Sequence, residues 1–191
     1  MLTFLQEFVR SPLTVGAVAP SGPRLARVVT APVPRYGDPV VVELGPGTGA
    51  FTAAIAERLG GRGRHIAVEV NERFAGGLAA RHPGVEVVRD DAGRLGAVLA
   101  GRGLDRADVV VSGLPWAAFP ESRQRAVLTA VAAVLPDDGA FTTFAYVHAR
   151  FARPARRMRG LLESRFEEVV VGRTVWANLP PALVYHCRRP A

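Results

Sequence analysis

Lysine is absent from this chain. All 24 of its Lys/Arg positions are arginine, in a sequence rich in alanine, glycine and proline. So one-sided a choice reads as GC-rich coding bias, not as site chemistry. Cysteine is nearly absent too. The single Cys187 excludes an internal disulfide and reads as a small packed residue in a late strand. With no disulfide signal, the cytoplasm is the default compartment. No stretch approaches the roughly 18 apolar residues that a spanning helix needs. Met1 to Arg10 contains Glu7 and no long apolar core, so no secretory signal is expected. No His/Cys/Asp group has metal-ligand spacing, and no metal is expected. Repeats and low-complexity linkers are also missing.

What is present is an ample core. Of 191 residues, 49% are hydrophobic, which suits one soluble domain. A net charge of +7 favours anionic partners: a lipid surface, nucleic acid or an acidic substrate.

Periodicity and punctuation predict alternating strands and helices. Leading helices are expected over Leu2–Val9 and Ser21–Thr30. Strands are expected at Val40–Leu44, His65–Glu69, Val85–Val88, Asp108–Ser112 and Ala140–Tyr146. The intervening helices are expected from Ala50 to Leu59, from Asn71 to Arg81, from Ala92 to Ala100, and from Glu121 to Val134. A helix over Pro154–Ser164 and strands at Glu167–Val175 and Ala182–Arg188 complete the chain. Alternation of this kind implies an α/β fold, a mostly parallel sheet with helices on both faces. A proline-rich turn, Leu179-Pro180-Pro181, would join the last two strands as an antiparallel hairpin.

The most telling stretch is Val40-Val41-Val42-Glu43-Leu44-Gly45-Pro46-Gly47-Thr48-Gly49. A β-branched run ends in an acid, and a glycine turn then opens a helix. Glycines let backbone approach a ligand at the carboxyl end of a strand. The helix that follows offers free N–H groups there. Glu69 ends the next strand about 20 residues on, where such sheets place a ribose-hydroxyl acceptor. The third glycine comes one residue too early for the dinucleotide fingerprint G-x-G-x-x-G. A carboxylate in the turn would repel a pyrophosphate but suits a cationic ligand. S-adenosylmethionine carries an ammonium, a sulfonium and a ribose diol, and no phosphate.

Glu43 to Gly49, E-L-G-P-G-T-G, resembles motif I of the class I S-adenosylmethionine-dependent methyltransferases. The resemblance implies one Rossmann-like domain over residues 1–191, with a seven-stranded sheet. Residues 1–36 would form a helical extension over the cofactor and substrate site. It also implies a cofactor set. Glu43, Gly45, Pro46, Gly47, Thr48 and Gly49 would lie under the amino-acid part, and Glu69 would accept from both ribose hydroxyls. Asn71 would border the ribose or adenine. Asp91 and Ala92 would meet the adenine edge, although aspartate there also reads as a helix N-cap. Ser112 would stand beside the methyl-transfer position.

Ser112-Gly113-Leu114-Pro115-Trp116 occupies the slot that selects the methyl acceptor in this family. Enzymes that methylate a base amine carry Asn or Asp first and end in tyrosine. Here serine and tryptophan replace them. S-G-L-P instead resembles the bacterial phospholipid N-methyltransferases, relatives of the ribosomal RNA adenine dimethyltransferases. Phe8 to Pro12, Gly16 to Ser21 and Phe144-Ala145-Tyr146 agree with that resemblance. It implies N-methylation of phosphatidylethanolamine or its partly methylated forms. Gly113, Leu114, Pro115, Trp116, Tyr146, Arg150 and Arg153 would bind the lipid headgroup. Tyr146 or His148 would receive or orient the amine proton, and Trp116, Phe119 and Trp176 would form an aromatic wall.

Two features fit a lipid. Met1, Phe4, Leu5, Phe8 and Val9 share one side of a short helix, suited to a bilayer interface or to packing on the domain. Arg150, Arg153, Arg156, Arg157, Arg159 and Arg165 cluster after the fifth strand, suited to phosphate or to solvent. The expected location is cytoplasmic, peripheral to an anionic inner membrane face, with nucleic acid the less favoured partner. An RNA adenine methyltransferase and a non-catalytic membrane-docking module are the alternatives.

Overall fold

A computed structural model describes residues 21–149 and 153–191. The helix expected over Leu2–Val9 lies outside these residues. A seven-stranded sheet runs through the domain in the order β3-β2-β1-β4-β5-β7-β6. Its strands are β1 (Val40–Leu44), β2 (Arg64–Val68), β3 (Glu86–Val88), β4 (Val109–Ser112), β5 (Ala140–Tyr146), β6 (Phe166–Val171) and β7 (Ala182–Pro190). β1 to β5 pair in parallel, and β7 runs antiparallel to both β5 and β6. This is the sheet expected of a Rossmann-like methyltransferase.

The helices are α1 (Pro23–Val29), α2 (Ala50–Leu59), α3 (Glu72–Arg81), α4 (Leu95–Ala100), α5 (Glu121–Val134) and α6 (Arg153–Glu163). Each follows from a readable stripe. In α2, Phe51, Ile55 and Leu59 recur every four residues and are buried. In α5, Val127, Leu128, Val131 and Val134 fall at helical three- and four-residue spacing and are buried. α1 and α2 close one face of the sheet, with Leu25, Val29 and Ile55 packed on Val41, Val109 and Val184. α4, α5 and α6 close the other, with Leu95, Leu128 and Leu162 packed around Val42, Ile66 and Phe141.

Several boundaries shift by a residue or two, and three shifts have a visible cause. Ala92–Arg94 form a 3-10 turn before α4, because Asp91 caps it by accepting from the Gly93 N–H at 2.8 Å. β2 ends at Val68, which frees Glu69 from the strand. β6 stops at Val171, so residues 172–181 form a loop, not a tight turn. Beyond Gly172 the pairing resumes at one isolated bridge, Val175 with Ala182. Pro180 and Pro181 lack the N–H that a longer ladder would need.

The strand order reverses direction between β1 and β4, and ligands in such sheets bind at the carboxyl ends of strands at that switch. Leu44 sits level with both Val68 and Ser112, so three strand ends share one rim.

Candidate active site at the carboxyl rim

A cavity of about 440 Å³ opens at this rim. The glycine turn makes one wall and the loop after β4 makes another. The two are pressed together. Gly45 adopts φ +65°, and a Cβ added there would come 2.7 Å from a Leu114 methyl. A Cβ on Gly113 would come 2.8 Å from the Gly45 carbonyl oxygen. Both positions therefore demand glycine. Gly47, at φ +54°, has open space where a Cβ would stand, so the turn leaves a bare backbone shelf facing the cavity.

Glu69 lies beside that shelf and is 5% exposed. Its Oε2 accepts from the Gly47 N–H at 3.2 Å and its Oε1 from the Asn71 N–H at 2.9 Å. Burial raises its pKa, and the N–H donors of Asn71, Gly47 and Val70 pull it part of the way back. Each carboxylate oxygen has a second lone pair. Glu69 can thus accept from a ribose diol without losing its backbone partners.

Pro46, Thr48 and Ala92 line the cavity with Gly45, Gly47 and Glu69. Other members of the expected cofactor set do not. Glu43 is fully buried within β1, its Oε2 accepting from the Thr52 hydroxyl at 2.8 Å and lying 3.1 Å from His65 Nε2. Gly49 takes φ +89° as the N-cap of α2, beyond the wall. Asn71 is the N-cap of α3, its side chain accepting from the Arg73 and Phe74 N–H groups. Besides its cap, Asp91 accepts from an Arg123 guanidinium nitrogen at 2.7 Å. It is the neighbouring Asp90 that faces the cavity.

Ser112 is fully buried. Its hydroxyl accepts from Trp116 Nε1 at 3.1 Å and from the Leu114 N–H at 3.3 Å. The serine thereby ties down Gly113-Leu114-Pro115-Trp116, all four of which line the cavity. Trp116 meets Phe119 and Phe141 edge-on. Gln124 of α5 also holds this loop: its Nε2 donates to the Trp116 carbonyl at 2.6 Å and its Oε1 accepts from Arg157. Trp176 is not on the wall; it is 74% exposed.

Tyr146 and His148 line the cavity from the end of β5, their rings stacked 5.7 Å apart and 12° from parallel. Burial raises the Tyr146 pKa. Arg150 lies outside the described residues. Arg153 opens α6 and is exposed. The arginine cluster is not one free basic face: Arg157 turns onto Gln124 and the Phe119 carbonyl, and Arg159 pairs with Glu163 at 2.7 Å.

Sequence reasoning missed Asp90, Arg123 and Gln124. Asp90 adjoins a chosen residue. Arg123 and Gln124 sit in a helix whose apolar period explains them as surface and core respectively, so no local signal marks them.

A glycine shelf, a buried carboxylate and a mostly apolar cavity at the switch point have the form of the ligand sites that α/β sheets of this kind carry. Residues 41–139 match the family described as methyltransferase domain. The chain is 37% identical to the ornithine lipid N-methyltransferase of Singulisphaera acidiphila, over 97% of this chain and 94% of that protein. Solved structures of the same fold include an S-adenosylmethionine-dependent O-methyltransferase from Thermotoga maritima. It has a TM-score of 0.65 at 15% identity, over 94% of this chain and 71% of that one. Fibrillarin from Aeropyrum pernix, with natively bound S-adenosylmethionine, gives 0.64 at 16% identity, over 85% and 73%. The chain belongs to the class I S-adenosylmethionine-dependent methyltransferases, and S-adenosylmethionine is its cofactor.

Proposed function

We propose that this chain N-methylates the headgroup amine of a membrane aminolipid. The observation that carries the reading is the whole-length similarity to a protein named for lipid N-methylation. The cavity's chemistry supports it. Ser112, which stands where base-amine enzymes keep Asn or Asp, spends its hydroxyl on Trp116 and Leu114. At that position no side-chain acceptor is left to grip a flat base amine. S-G-L-P favours phosphatidylethanolamine as acceptor, while the relative's name puts an ornithine headgroup beside it. Both present a primary amine close to an anionic group.

Gly45, Gly47 and Glu69 would hold the cofactor, which supplies an electrophilic methyl on a sulfonium. The amine must first become neutral. An alkylammonium titrates at about 10, and an apolar pocket lowers that by penalising the charge. Trp116 and Phe119 line such a pocket. Tyr146, kept protonated by burial, would orient the amine, and His148 stacked on it would take the proton. The rest of the protein's contribution is alignment and exclusion of water. Exposed Arg153 and Arg156 on α6 would meet an anionic membrane, giving peripheral attachment at the inner face.

The test is one incubation of the chain with labelled S-adenosylmethionine, phosphatidylethanolamine, an ornithine lipid and total RNA. Label in a lipid supports the proposal, and which lipid names the acceptor. Label in RNA alone would replace it.

A further inference from the structure

The loop over residues 172–181 is built inside out. Asn178 is 3% exposed, while Trp176 and Leu179 on either side are 74% and 80% exposed. The buried amide holds this arrangement. Its Oδ1 accepts from the Gly22 N–H at 2.8 Å and its Nδ2 donates to the Pro180 carbonyl at 2.7 Å. Burying a polar side chain costs free energy unless it is hydrogen-bonded, and these bonds offset that cost. Nothing comparable offsets two large apolar side chains in water. A partner that takes them up would.

The loop adjoins residues of the active-site cavity wall. The Val147 N–H donates to the Pro181 carbonyl at 2.9 Å, and Ala182 pairs with Tyr146. On the other side Gly22, bonded to Asn178, adjoins Ser21 of the cavity wall. Between Gly172 and Ala182 the single charged residue is Arg173, which is exposed. The surface is thus an indole, a leucine and one cation, in a chain of net charge +7. Tryptophan settles at membrane interfaces because it joins a large apolar ring to one N–H donor.

We infer that this loop is a wedge that seats the cavity mouth in an anionic lipid bilayer, with Trp176 and Leu179 entering the interface. The inference rests on the aminolipid reading above. It gives a reason for the wedge's place: a headgroup amine can reach Tyr146 while its acyl chains stay in the membrane.

The experiment uses the full chain and vesicles of phosphatidylethanolamine with phosphatidylglycerol. Emission of Trp176 is isolated by subtracting W176F protein, which retains the buried Trp116. On vesicle addition it should shift to the blue and be quenched by brominated lipid. The W176Q/L179Q variant should partition about tenfold less while binding S-adenosylhomocysteine as the parent does. Parent-like partitioning of that variant overturns the inference. So does shielding of Trp176 from acrylamide before vesicles are added, since residues 1–20 or a second copy would then be the cover. Loop-dependent partitioning without methyl transfer to any lipid upholds the wedge and removes the acceptor reading. Lipid methylation with variant partitioning unchanged does the reverse.

Discussion

The indole N–H of Trp116 donates to the hydroxyl of Ser112 across 3.1 Å, inside a part of the protein that water does not reach. The same hydroxyl accepts the Leu114 N–H, so one oxygen sets the path of the Gly113-to-Trp116 loop. Ser112→Ala leaves two inward N–H groups without that acceptor. The expected cost is about 1–3 kcal/mol of folding free energy. Denaturant unfolding measures it. Because Ser112 does not line the cavity, affinity for S-adenosylhomocysteine should stay within about twofold of the parent, while KM for the acceptor rises.

Glu69 gives a pH prediction. Burial raises its pKa, so the folded protein without cofactor holds this proton more tightly than the unfolded chain. Its contribution to stability is then fully present at acid pH and is lost as pH rises through the raised folded value. Cofactor binding runs the other way, because a ribose diol needs the carboxylate as acceptor. Affinity for S-adenosylhomocysteine should fall as pH drops through that value, above the ordinary glutamate range. In Glu69→Gln it should be weaker and flat with pH. Calorimetry across pH checks both, and a parent-like titration in the variant would remove Glu69 from the site.

β1, α2, α5 and β5 could be read to the residue. Each is a long run in which burial period and punctuation agree: Gly49 and Gly60 bracket α2, and Pro120 precedes α5. The glycine turn was legible for the same reason, since glycine at a strand end has a local steric meaning. What was not legible depends on distant partners. Asp91 meets Arg123 across 32 positions, and the Asn178 amide meets Gly22 across 156. Acidity placed Glu43 in the cofactor set, yet Thr52 and His65 surround its carboxylate inside the fold. Spacing along the chain carries no record of such neighbours.

Two glycines should fail differently when changed to alanine. In Gly113→Ala the new methyl would stand 2.8 Å from the Gly45 carbonyl oxygen, a backbone atom with nowhere to go. About 1–3 kcal/mol of stability should be lost. Gly47→Ala meets no neighbour, so its stability cost is the left-handed backbone alone, about 1–2 kcal/mol. Its methyl would stand on the shelf, and cofactor affinity should drop about tenfold or more. Unfolding and calorimetry on both variants separate the two effects. Equal affinity losses would contradict the assignment of Gly47 as the shelf.

Tyr146 and His148 stack at the cavity wall, and their proposed roles separate by pH profile. Burial raises the Tyr146 pKa, so its phenol remains an O–H donor through neutral pH and cannot set an acid limb there. Tyr146→Phe keeps the ring stack and removes the donor. Its kcat on lipid vesicles should fall about tenfold to a hundredfold with the acid limb of the profile unmoved. His148→Gln removes the group that would take the amine proton, so kcat should fall about tenfold or more while S-adenosylhomocysteine still binds. A limb that shifts in Tyr146→Phe would make the phenol a titrating group and reverse its assignment, and a parent-like kcat in His148→Gln would leave deprotonation to desolvation of the amine alone.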